Sequence, residues 1–559
     1  MSIGSKCSDA ADDADVVVVG AGPAGIALGL KTAAAGLRTV LIESGGERRE
    51  DFPQTLAETP HFDPSRHAPM TDTTRRQVGG ASVIWGGRIV PYDPVDFDHR
   101  PHIAGSDWPV PYETVQPYFA EASRLCFSGE PVFSSREIPE LRGETLVPGL
   151  PDGDVLTTSL ERWSLPTNFG REYRSALKST PGLRLVTGLT AVEVLTSTDG
   201  RQVEAIRARR PDGGEEMLRA RSYVLACGGL ETTRLLLASD CHHRQGLGNH
   251  SDKLGRFYMG HISGKIANVQ FATDARKTRY GYSRDREGVY LRHRFSISRE
   301  AQHRERLPNI VAWLANPPIA DPAHGSGVLS FAYLALSSPL FGKYFVADAI
   351  RKANVGSGGR KNTWKHVANM LRDAPATAAF VPTFGVQRFM LRRRVPGFFV
   401  RSRSNCYPLH YHGEQVPNPE SRVTLAREAD RLGLRKLVID LRYSQQDVDG
   451  VLRAHEIWDD HLRRHDCGSL EYTVADRAAA VWEQAADGFH QAGTTRMSAH
   501  PDDGVVDPDL RVHGVRNLYI ASGSVLPTSS QANTTFMIVV FALRLADHLA
   551  EAIPWGPRS

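Results

Sequence analysis

The pattern of apolar and polar positions is clearest near the start of the chain, where it predicts a strand, a helix and a second strand. A continuous β-branched run over residues 16–19 is typical of a parallel strand that is buried on both of its faces. A helix is predicted to begin at Pro23 and to end at Gly36. The second strand covers residues 39–42 and ends at Glu43. Together these segments make a complete β-α-β unit.

The turn between the first strand and the helix carries the glycine pattern G-x-G-x-x-G. Gly20 allows the tight turn, Gly22 lets a pyrophosphate approach the backbone, and Gly25 lets the helix pack on the strand. The first amides of the helix then point at the phosphates. Glu43 can accept hydrogen bonds from both ribose hydroxyls and would repel a 2′-phosphate, which favours FAD or NAD over NADP. Because all these parts fall in register, a dinucleotide site is favoured over a plain tight turn.

Further strand signals lie well beyond this first unit. Residues 182–195 and 202–207 predict a hairpin or strand pair around the turn at Asp199-Gly200. Residues 222–229 predict a short buried strand that enters a glycine turn and is followed by a helix. We expect this second strand to lie against the first unit.

From Lys265 to about Asp487 the pattern changes to strands around a helical middle. Residues 326–400 have helical character, and the strand-like pieces are 288–295, 309–314, 404–412 and 421–425. The middle ends in an arginine- and aromatic-rich stretch over residues 388–401, which could touch a membrane surface or an electron-carrying partner. The alternative is a helix end whose arginines lie in water and whose aromatic rings lie in the core.

The C-terminal part of the chain carries the remaining candidate chemistry. An apolar helix is predicted over residues 531–549, and its start at Asn533 is rich in N-cap residues. Such a helix N-terminus suits the N1/C2=O end of an isoalloxazine, where negative charge gathers on reduction. His490 lies just before a small-residue turn, and an imidazole is a suitable proton acceptor near neutral pH. A core histidine bonded to a nearby carbonyl is the alternative interpretation.

Composition limits the class of protein. The 559 residues exceed the size at which a single core stops growing, so two closely joined domains are expected. The formal charge of +4 is small for this length, which makes nucleic acid an unexpected partner. The six cysteines show no C-x-x-C pairing, so we expect reduced thiols and neither a disulfide frame nor a metal site. The N-terminus lacks an apolar signal core and no apolar run reaches membrane-spanning length, which predicts a soluble cytoplasmic protein.

With these segments in place, nearly the whole chain resembles the glucose-methanol-choline (GMC) oxidoreductases. The order and spacing of many segments carry this resemblance: GAGPAG at 20–25 with Glu43, VGGASVIWGG at 78–87, VLACGGLETTRLLL at 224–237, LGNHSDKLGRFYMGH at 247–261, EQVPNPESRVTL at 414–425, HQAGTTRM at 490–497, VVDPDLRVHGVRNLYIASGSVLPT at 505–528 and the Asn533 helix. The similarity is closest to the branch of pyranose oxidases and bacterial sugar or polyol dehydrogenases, whose catalytic pair is His and Asn.

The resemblance implies an α/β fold, α+β overall, with two domains. A Rossmann-like FAD-binding domain is expected in three parts, residues 1–100, 181–264 and 488–559, and the last part holds the catalytic residues. Residues 101–180 are expected to form a connection on the substrate side. Residues 265–487 are expected to form the substrate-binding domain, built on an antiparallel sheet with helices.

The resemblance also assigns roles to individual positions. His490 matches the catalytic histidine and Asn533 its partner, and both are expected to lie over the flavin ring. His410 and His412 share one face of a predicted strand and are weaker candidates for the substrate side. Val192 matches the residue whose backbone meets adenine. The expected cofactor-binding residues are Gly20, Gly22, Ala24, Gly25, Glu43, Arg76, Gly79, Gly80, Ser82, Trp85, Val192, Ala226, Gly228, Ser522, Ser524, Asn533 and Thr534.

Three departures from the family pattern are visible. Some relatives attach FAD covalently through a histidine just before the loop tryptophan, and this chain has Ile84 there, so non-covalent FAD is expected. Thr534 stands where most relatives have proline, and Ser522 stands where many have aspartate. These two departures leave the helix position and the local hydrogen bonding of the flavin open.

The expected function is FAD-dependent oxidation of an alcohol group of a sugar, polyol or glycoside, by hydride transfer to flavin N5. The alternatives are oxidation of a hydrophobic, sterol- or terpenoid-like alcohol, and a lyase or binding protein that keeps FAD without redox turnover. The electron acceptor could be a quinone, a cytochrome or oxygen, and a dehydrogenase is slightly favoured over an oxidase. The substrate identity, the acceptor and the oligomeric state are left open by the sequence.

Overall fold

The structure is a computed structural model that describes residues 14–164, 166–242, 245–338, 355 and 362–553. Its strands are β1 (Ala14–Val19), β2 (Thr39–Glu43), β3 (His61–Phe62), β4 (Arg88–Ile89), β5 (Val155–Leu156), β6 (Leu160–Trp163), β7 (Leu183–Thr187), β8 (Thr190–Thr196), β9 (Val203–Arg209), β10 (Glu215–Leu218), β11 (Ala220–Leu225), β12 (His261–Phe271), β13 (Tyr282–Arg284), β14 (Tyr290–His293), β15 (Phe295–Ile297), β16 (Ile310–Leu314), β17 (Cys406–Glu414), β18 (Arg422–Ala429), β19 (Arg435–Asp440), β20 (Gly468–Tyr472) and β21 (Leu518–Ile520).

The α-helices of the described residues lie between and around these strands. They are α1 (Pro23–Ala34), α2 (Asp51–Thr55), α3 (Met70–Thr73), α4 (Tyr112–Val115), α5 (Phe119–Leu125), α6 (Phe169–Glu172), α7 (Arg174–Ser179), α8 (Gly229–Ala238), α9 (Arg299–Glu305), α10 (Gly327–Leu336), α11 (Thr363–Arg372), α12 (Ala374–Gly385), α13 (Gln445–Arg464), α14 (Arg477–Gln484) and α15 (Thr535–Ala552). The mixture of helices with parallel and antiparallel sheets confirms the predicted α/β class.

A five-stranded parallel sheet has the order β21-β11-β1-β2-β7. The central strand β1 pairs Val17 with Val40 on one side and with Tyr223 on the other. Its valines are at most 5% exposed, because α1 and α15 cover the sheet together with other parts of the core. The predicted β-α-β unit and the expected placement of the second strand beside it are both confirmed. The domain boundaries stay a prediction.

The predicted pairing around the Asp199-Gly200 turn is confirmed only in part. Strands β8 and β9 form the antiparallel pair, but β7 joins β2 as the edge strand of the parallel sheet. Gly188 has φ +69° and separates β7 from β8. A glycine in the left-handed backbone conformation breaks the extended conformation of a strand, so one strand ends there and the next begins in another sheet.

A six-stranded sheet has the order β20-β12-β17-β16-β15-β5, and its neighbouring strands are antiparallel. The ring centre of Tyr411 on β17 lies 5.5 Å from the ring centre of His455 on α13, so α13 covers one face of this sheet. Because side chains alternate along a strand, His410 and His412 lie on the opposite face. This second face is the one that meets the catalytic candidates.

The helical middle predicted over residues 326–400 is confirmed at α10, α11 and α12, and residues 339–354 and 356–361 lie outside the described residues. The arginine- and aromatic-rich stretch begins in a π-helical turn, Val386–Met390, and continues without regular structure. Among the described residues, none of the helices combines the length and the apolar character needed to cross a bilayer.

Candidate active site

A cavity of about 1350 Å³, its open mouth included, lies where the strands of the parallel sheet end. Parallel sheets of this type bind ligands beyond the carboxyl ends of their strands. The predicted residues that line the cavity are Gly20, Gly22, Ala24, Glu43, Arg76, Gly80, Ser82, Trp85, Ala226, Gly228, Ser522 and Thr534.

The three glycines of the turn are needed for different reasons. Gly20 has φ +104°, and a Cβ there would lie 2.7 Å from the carbonyl oxygen of Ala226. A Cβ on Gly25 would lie 1.9 Å from the oxygen of Gly20, so helix α1 can approach β1 only with glycine at that position. A Cβ on Gly22 would have no protein atom within 4 Å. The first two glycines serve the packing of the chain itself, and Gly22 faces free space in the cavity.

The carboxylate of Glu43 is held in one orientation at the end of β2. Its Oε2 accepts from the backbone N–H of Ala21 at 2.9 Å, and Oε1 accepts from that of Gly45 at 3.0 Å. Burial raises the pKa of Glu43 although these amides and Arg76 oppose the shift. An oriented acid at this point of the cavity fits the ribose contact that the sequence predicts.

The loop from Gly79 to Trp85 packs directly on the glycine turn. The N–H of Gly79 donates to the oxygen of Ala21 at 2.7 Å. The Ser82 hydroxyl donates to the oxygen of Gly79 at 2.6 Å, and Trp85 Nε1 donates to the oxygen of Thr167 at 2.8 Å. These bonds hold one wall of the cavity beside the turn.

Two predicted cofactor residues lie behind the cavity wall. Val192 packs with Leu56 and Leu432, while its neighbours Thr190 and Ala191 line the cavity. Ser524 is buried, and its Oγ lies 2.5 Å from the Oγ of Ser522. The adenine contact of Val192 and the flavin contact of Ser524 stay predictions.

His490 and Asn533 lie side by side next to the cavity. The Nε2 of His490 is 2.6 Å from the Nδ2 of Asn533, and its Nδ1 is 2.9 Å from the Oδ2 of Asp487. Arg88 Nη1 donates to the Oδ1 of Asn533 at 2.9 Å. Beyond Arg88, the carboxylate of Glu161 accepts from both Arg88 and Arg292. Six side chains therefore form one continuous chain of hydrogen bonds.

The charged groups in this chain fix the direction of each bond. The guanidinium of Arg88 can only donate, so the Asn533 oxygen faces Arg88 and the amide N–H faces His490. The Asp487 carboxylate can only accept, so the hydrogen of the His490 ring lies on Nδ1. Nε2 of His490 therefore carries the lone pair, which accepts from the N–H of Asn533 and which a substrate hydroxyl would reach by taking the place of that bond.

Asp487 is a buried carboxylate with several donors. Its Oδ1 accepts from the backbone N–H of Gly488 at 2.7 Å and of Phe489 at 2.8 Å, and its Oδ2 accepts from the N–H of His261 at 2.8 Å. Burial would raise its pKa, but His490 and His261 hold the pKa well below the usual range. Its contribution to stability is therefore complete above the ordinary pKa of an aspartate and is lost as the pH falls through the depressed one.

Three further imidazoles lie on the sheet face beside His490. The ring of His261 stacks on that of His412, with 4.4 Å between ring centres, and lies edge-on to the ring of His490, with 4.5 Å between ring centres. His410 stacks on Trp313 at 4.7 Å. Burial lowers the pKa of His412 well below its usual value and that of His410 to about 3, so both rings are neutral at neutral pH. Of the two weaker candidates, the structure brings His412 to 6.0 Å from His490, measured between ring centres.

Sequence reasoning missed five residues of this site: Asp487, His261, Arg88, Glu161 and Arg292. Asp487 stands three positions before His490, a spacing that could have pointed to it. Ligand atoms of His261, Asp487 and His490 lie within 4.8 Å of one another, a spacing that a metal ion could also use. The hydrogen bond from His490 to Asp487 already links two of the three, and the expectation of no metal stays a prediction.

Comparison with known proteins places this geometry in a family. Residues 417–542 match the GMC oxidoreductase family, and residues 15–52 match the FAD binding domain family. The 2-methyl-1,2-propanediol dehydrogenase of Mycolicibacterium austroafricanum is 23% identical over 97% of this chain and 96% of its own. The fructose dehydrogenase large subunit of Gluconobacter japonicus is 20% identical over 97% of this chain and 99% of its own.

The C-terminal part of this chain thus matches the GMC oxidoreductases, and two full-length relatives are dehydrogenases by name. A solved structure of formate oxidase has the same fold, with a TM-score of 0.53, 18% identity, and coverage of 98% of this chain and 99% of its own. The two family matches and the relatives named as dehydrogenases indicate an FAD-dependent oxidoreductase.

The glycines of the turn give a test of the cofactor cavity. Gly22→Ala places a methyl group in space that is free of protein, so the FAD-free variant should unfold at the wild-type temperature. The methyl should block the approach of the pyrophosphate, and FAD should be lost on gel filtration, measured by the flavin-to-protein absorbance ratio. Gly86→Ala is the matched control, because its Cβ also meets no atom within 4 Å but lies outside the cavity lining.

Gly25→Ala should behave differently from Gly22→Ala. Its Cβ would collide with the oxygen of Gly20, so the unfolding temperature of the FAD-free variant should fall.

Full FAD retention by Gly22→Ala would show that the cofactor does not pass over this turn.

Proposed function

We propose that this protein oxidises a primary or secondary alcohol of a sugar, polyol or glycoside to the carbonyl, with His490 as the proton acceptor. The observation that carries the proposal is the hydrogen-bond chain from Asp487 to Arg88, since it leaves a lone pair on His490 Nε2 next to an amide donor of Asn533. Relatives named as a propanediol dehydrogenase and a fructose dehydrogenase support the substrate class.

The cavity residues fit FAD. Gly22 and the N-terminus of α1 would hold the pyrophosphate, Glu43 the ribose, and the loop from Gly79 to Trp85 one side of the flavin ring. The N-terminus of α15 at Thr535 would lie at the other end of the ring. When bound, FAD supplies the acceptor for the hydride that leaves the alcohol carbon.

His490 and Asn533 would act together on the substrate hydroxyl. A substrate hydroxyl would replace the direct bond between the two side chains. It would donate its hydrogen to Nε2 of His490 and accept from Nδ2 of Asn533. The O–H proton passes to Nε2 as the C–H electron pair leaves with the hydride, and the carbon–oxygen bond becomes a carbonyl. The anionic Asp487 stabilises the imidazolium that forms.

The surroundings of His490 favour a polyhydroxyl substrate over a sterol or terpenoid. The sheet face beside it carries His261, His412 and Ser263, and the Ser263 hydroxyl bonds to His412. The Nε2 of His412 has no hydrogen-bond partner within the described part of the chain, so a substrate with several hydroxyls could pair with it and an apolar substrate could not. We extend the proposal to an electron acceptor that is a quinone, a cytochrome or oxygen, and we slightly favour a dehydrogenase over an oxidase. A cytoplasmic location stays a prediction.

Loss of the base should slow the chemical step. His490→Ala should slow anaerobic reduction of the bound flavin by an alcohol by about 10²–10⁴, while FAD stays bound. Asn533→Ala should also be slow, but the pH dependence of reduction should survive in it and vanish in His490→Ala. Stopped-flow absorbance with the best substrate of a sugar and polyol panel measures both. Reduction of His490→Ala at the wild-type rate would refute the assignment.

Removal of the Asp487 charge should alter the same step through His490. In Asp487→Asn, the imidazolium loses its anionic neighbour, so the limiting rate should fall and the acid limb of the pH–rate profile should move to lower pH. Glu50→Gln, an exposed acid elsewhere on the chain, is the control for a general charge effect. An unshifted profile in Asp487→Asn would argue against this role for the carboxylate.

FAD should be bound without a covalent link. Ile84 stands at the position of the linking histidine, and no histidine lies between Met70 and Arg88. Acid precipitation should release the yellow colour into the supernatant, where its absorbance can be compared with that of the intact protein. Colour that stays in the pellet would contradict the prediction.

A further inference from the structure

One region of the surface concentrates exposed apolar side chains. Ten large apolar residues are exposed in the described part of the chain, and eight of them lie between residues 364 and 391. Trp364 is 70% exposed, Leu371 74% and Met390 77%. Monomeric soluble proteins rarely expose large apolar patches without a function. We call the exposed apolar and basic side chains of residues 363–403 the apolar-basic surface.

The apolar residues of α11 form a single stripe. Trp364, Val367 and Leu371 are spaced at i, i+3 and i+7, so they lie on one face of the helix. Lys365 lies beside this stripe, with its ammonium 5.5 Å from the ring of Trp364, and Arg372 ends the helix. A helix with an exposed apolar stripe and flanking cations has the form of a helix that lies in a membrane interface.

The charge of this region is strongly one-sided. Residues 363–403 contain eight Lys or Arg and one Asp, a formal charge of +7, whereas the whole chain carries +4. All the other residues together therefore carry −3. None of these eight cations forms an ion pair with an acid among the described residues, although many arginines elsewhere do. Lys365, Arg372, Arg392, Arg401 and Arg403 are exposed, so their charge can meet an external anionic surface, whereas Arg388 and Arg393 are partly buried and bond the backbone oxygens of Val395 and Phe127.

We propose that the apolar-basic surface docks this enzyme on an anionic lipid bilayer. The cations would attract the negatively charged headgroups, and Trp364, Leu371 and Met390 would enter the boundary between headgroups and acyl chains. A second copy of the chain is disfavoured as the occupant, because an isologous contact would bring two surfaces of charge +7 together.

Ring contacts link residues 363–403 to the active site. Phe398 packs on Phe380 and Phe384 of α12. The ring of the next residue, Phe399, lies 5.8 Å from the guanidinium carbon of Arg292, which also lies 4.4 Å from the ring centre of Trp313. This segment therefore contacts the hydrogen-bond chain of the site. The docking proposal itself does not depend on the proposed reaction.

Vesicle sedimentation of the FAD-loaded protein tests the proposal. The enzyme should pellet with vesicles of phosphatidylglycerol and phosphatidylcholine, and stay in the supernatant with phosphatidylcholine alone. High salt should reduce the bound fraction several-fold, because it screens the attraction of the cations. Enzyme that stays in the supernatant with the anionic vesicles would overturn the proposal.

Paired variants separate the two parts of the surface. The apolar double variant, Trp364→Glu with Leu371→Glu, should reduce vesicle binding at least ten-fold. The charge variant, which combines Lys365→Gln, Arg372→Gln and Arg392→Gln, should reduce it by as much. The controls are Met217→Glu, an exposed apolar residue on β10, and Arg48→Gln with Arg49→Gln and Arg431→Gln, three exposed arginines elsewhere. Flavin reduction by alcohol should be unchanged in all of these. Equal binding by surface and control variants would overturn the proposal.

Analytical ultracentrifugation distinguishes the other occupants. A wild-type dimer that Leu371→Glu converts to a monomer would assign the surface to a second copy and overturn the lipid proposal. An acidic electron-carrier protein could instead displace the enzyme from vesicles and co-sediment with it in a complex that the charge variant cannot form. That result would assign the apolar-basic surface to the carrier protein and count against the lipid proposal.

Discussion

The buried carboxylate of Asp487 is the constraint on which the rest of the site depends. Its backbone bonds to Arg66 and Ala68, and its side chain bonds to the turn that carries His490 and to the N–H of His261 at the start of β12. One group thus joins the turn, the start of β12 in the six-stranded sheet and the imidazole of His490. An ionised carboxylate in a buried place must be matched by donors, and one of those donors is the proposed proton acceptor.

The opposite end of the site holds a second buried carboxylate, Glu161, which is matched by arginines. Glu161 is fully buried, and burial would raise its pKa, but Arg292 and Arg88 lower it. Burial lowers the pKa of Arg88 to about 10, so it stays cationic at neutral pH and has only hydrogens to offer Asn533. A fixed acceptor at one end and a fixed donor at the other leave His490 and Asn533 a single arrangement. Preorganisation of this kind avoids reorientation when the substrate reacts.

Part of this architecture could be predicted from the sequence because it is local. The β-branched run, the glycine turn and Glu43 lie within thirty or so residues, and each has a steric or hydrogen-bonding reason that holds in any fold. The roles of His490 and Asn533 come from resemblance to a family, since the small-residue turn after His490 is too weak a signal to select it from twenty other histidines.

What only the tertiary structure decided is the set of partners that meet across long distances in the chain. Arg88 reaches Asn533 over 445 positions and Glu161 over 73, while His261 meets Asp487 over 226. Likewise, β7 joins the parallel sheet although its sequence continues into the β8 hairpin. The periodicity of a sequence shows which face of a helix or strand is apolar. Which distant residues meet is decided only when the two sheets pack together. The sequence by itself determined the nucleotide-binding unit, and the packing of the second sheet on it determined the proton acceptor's surroundings.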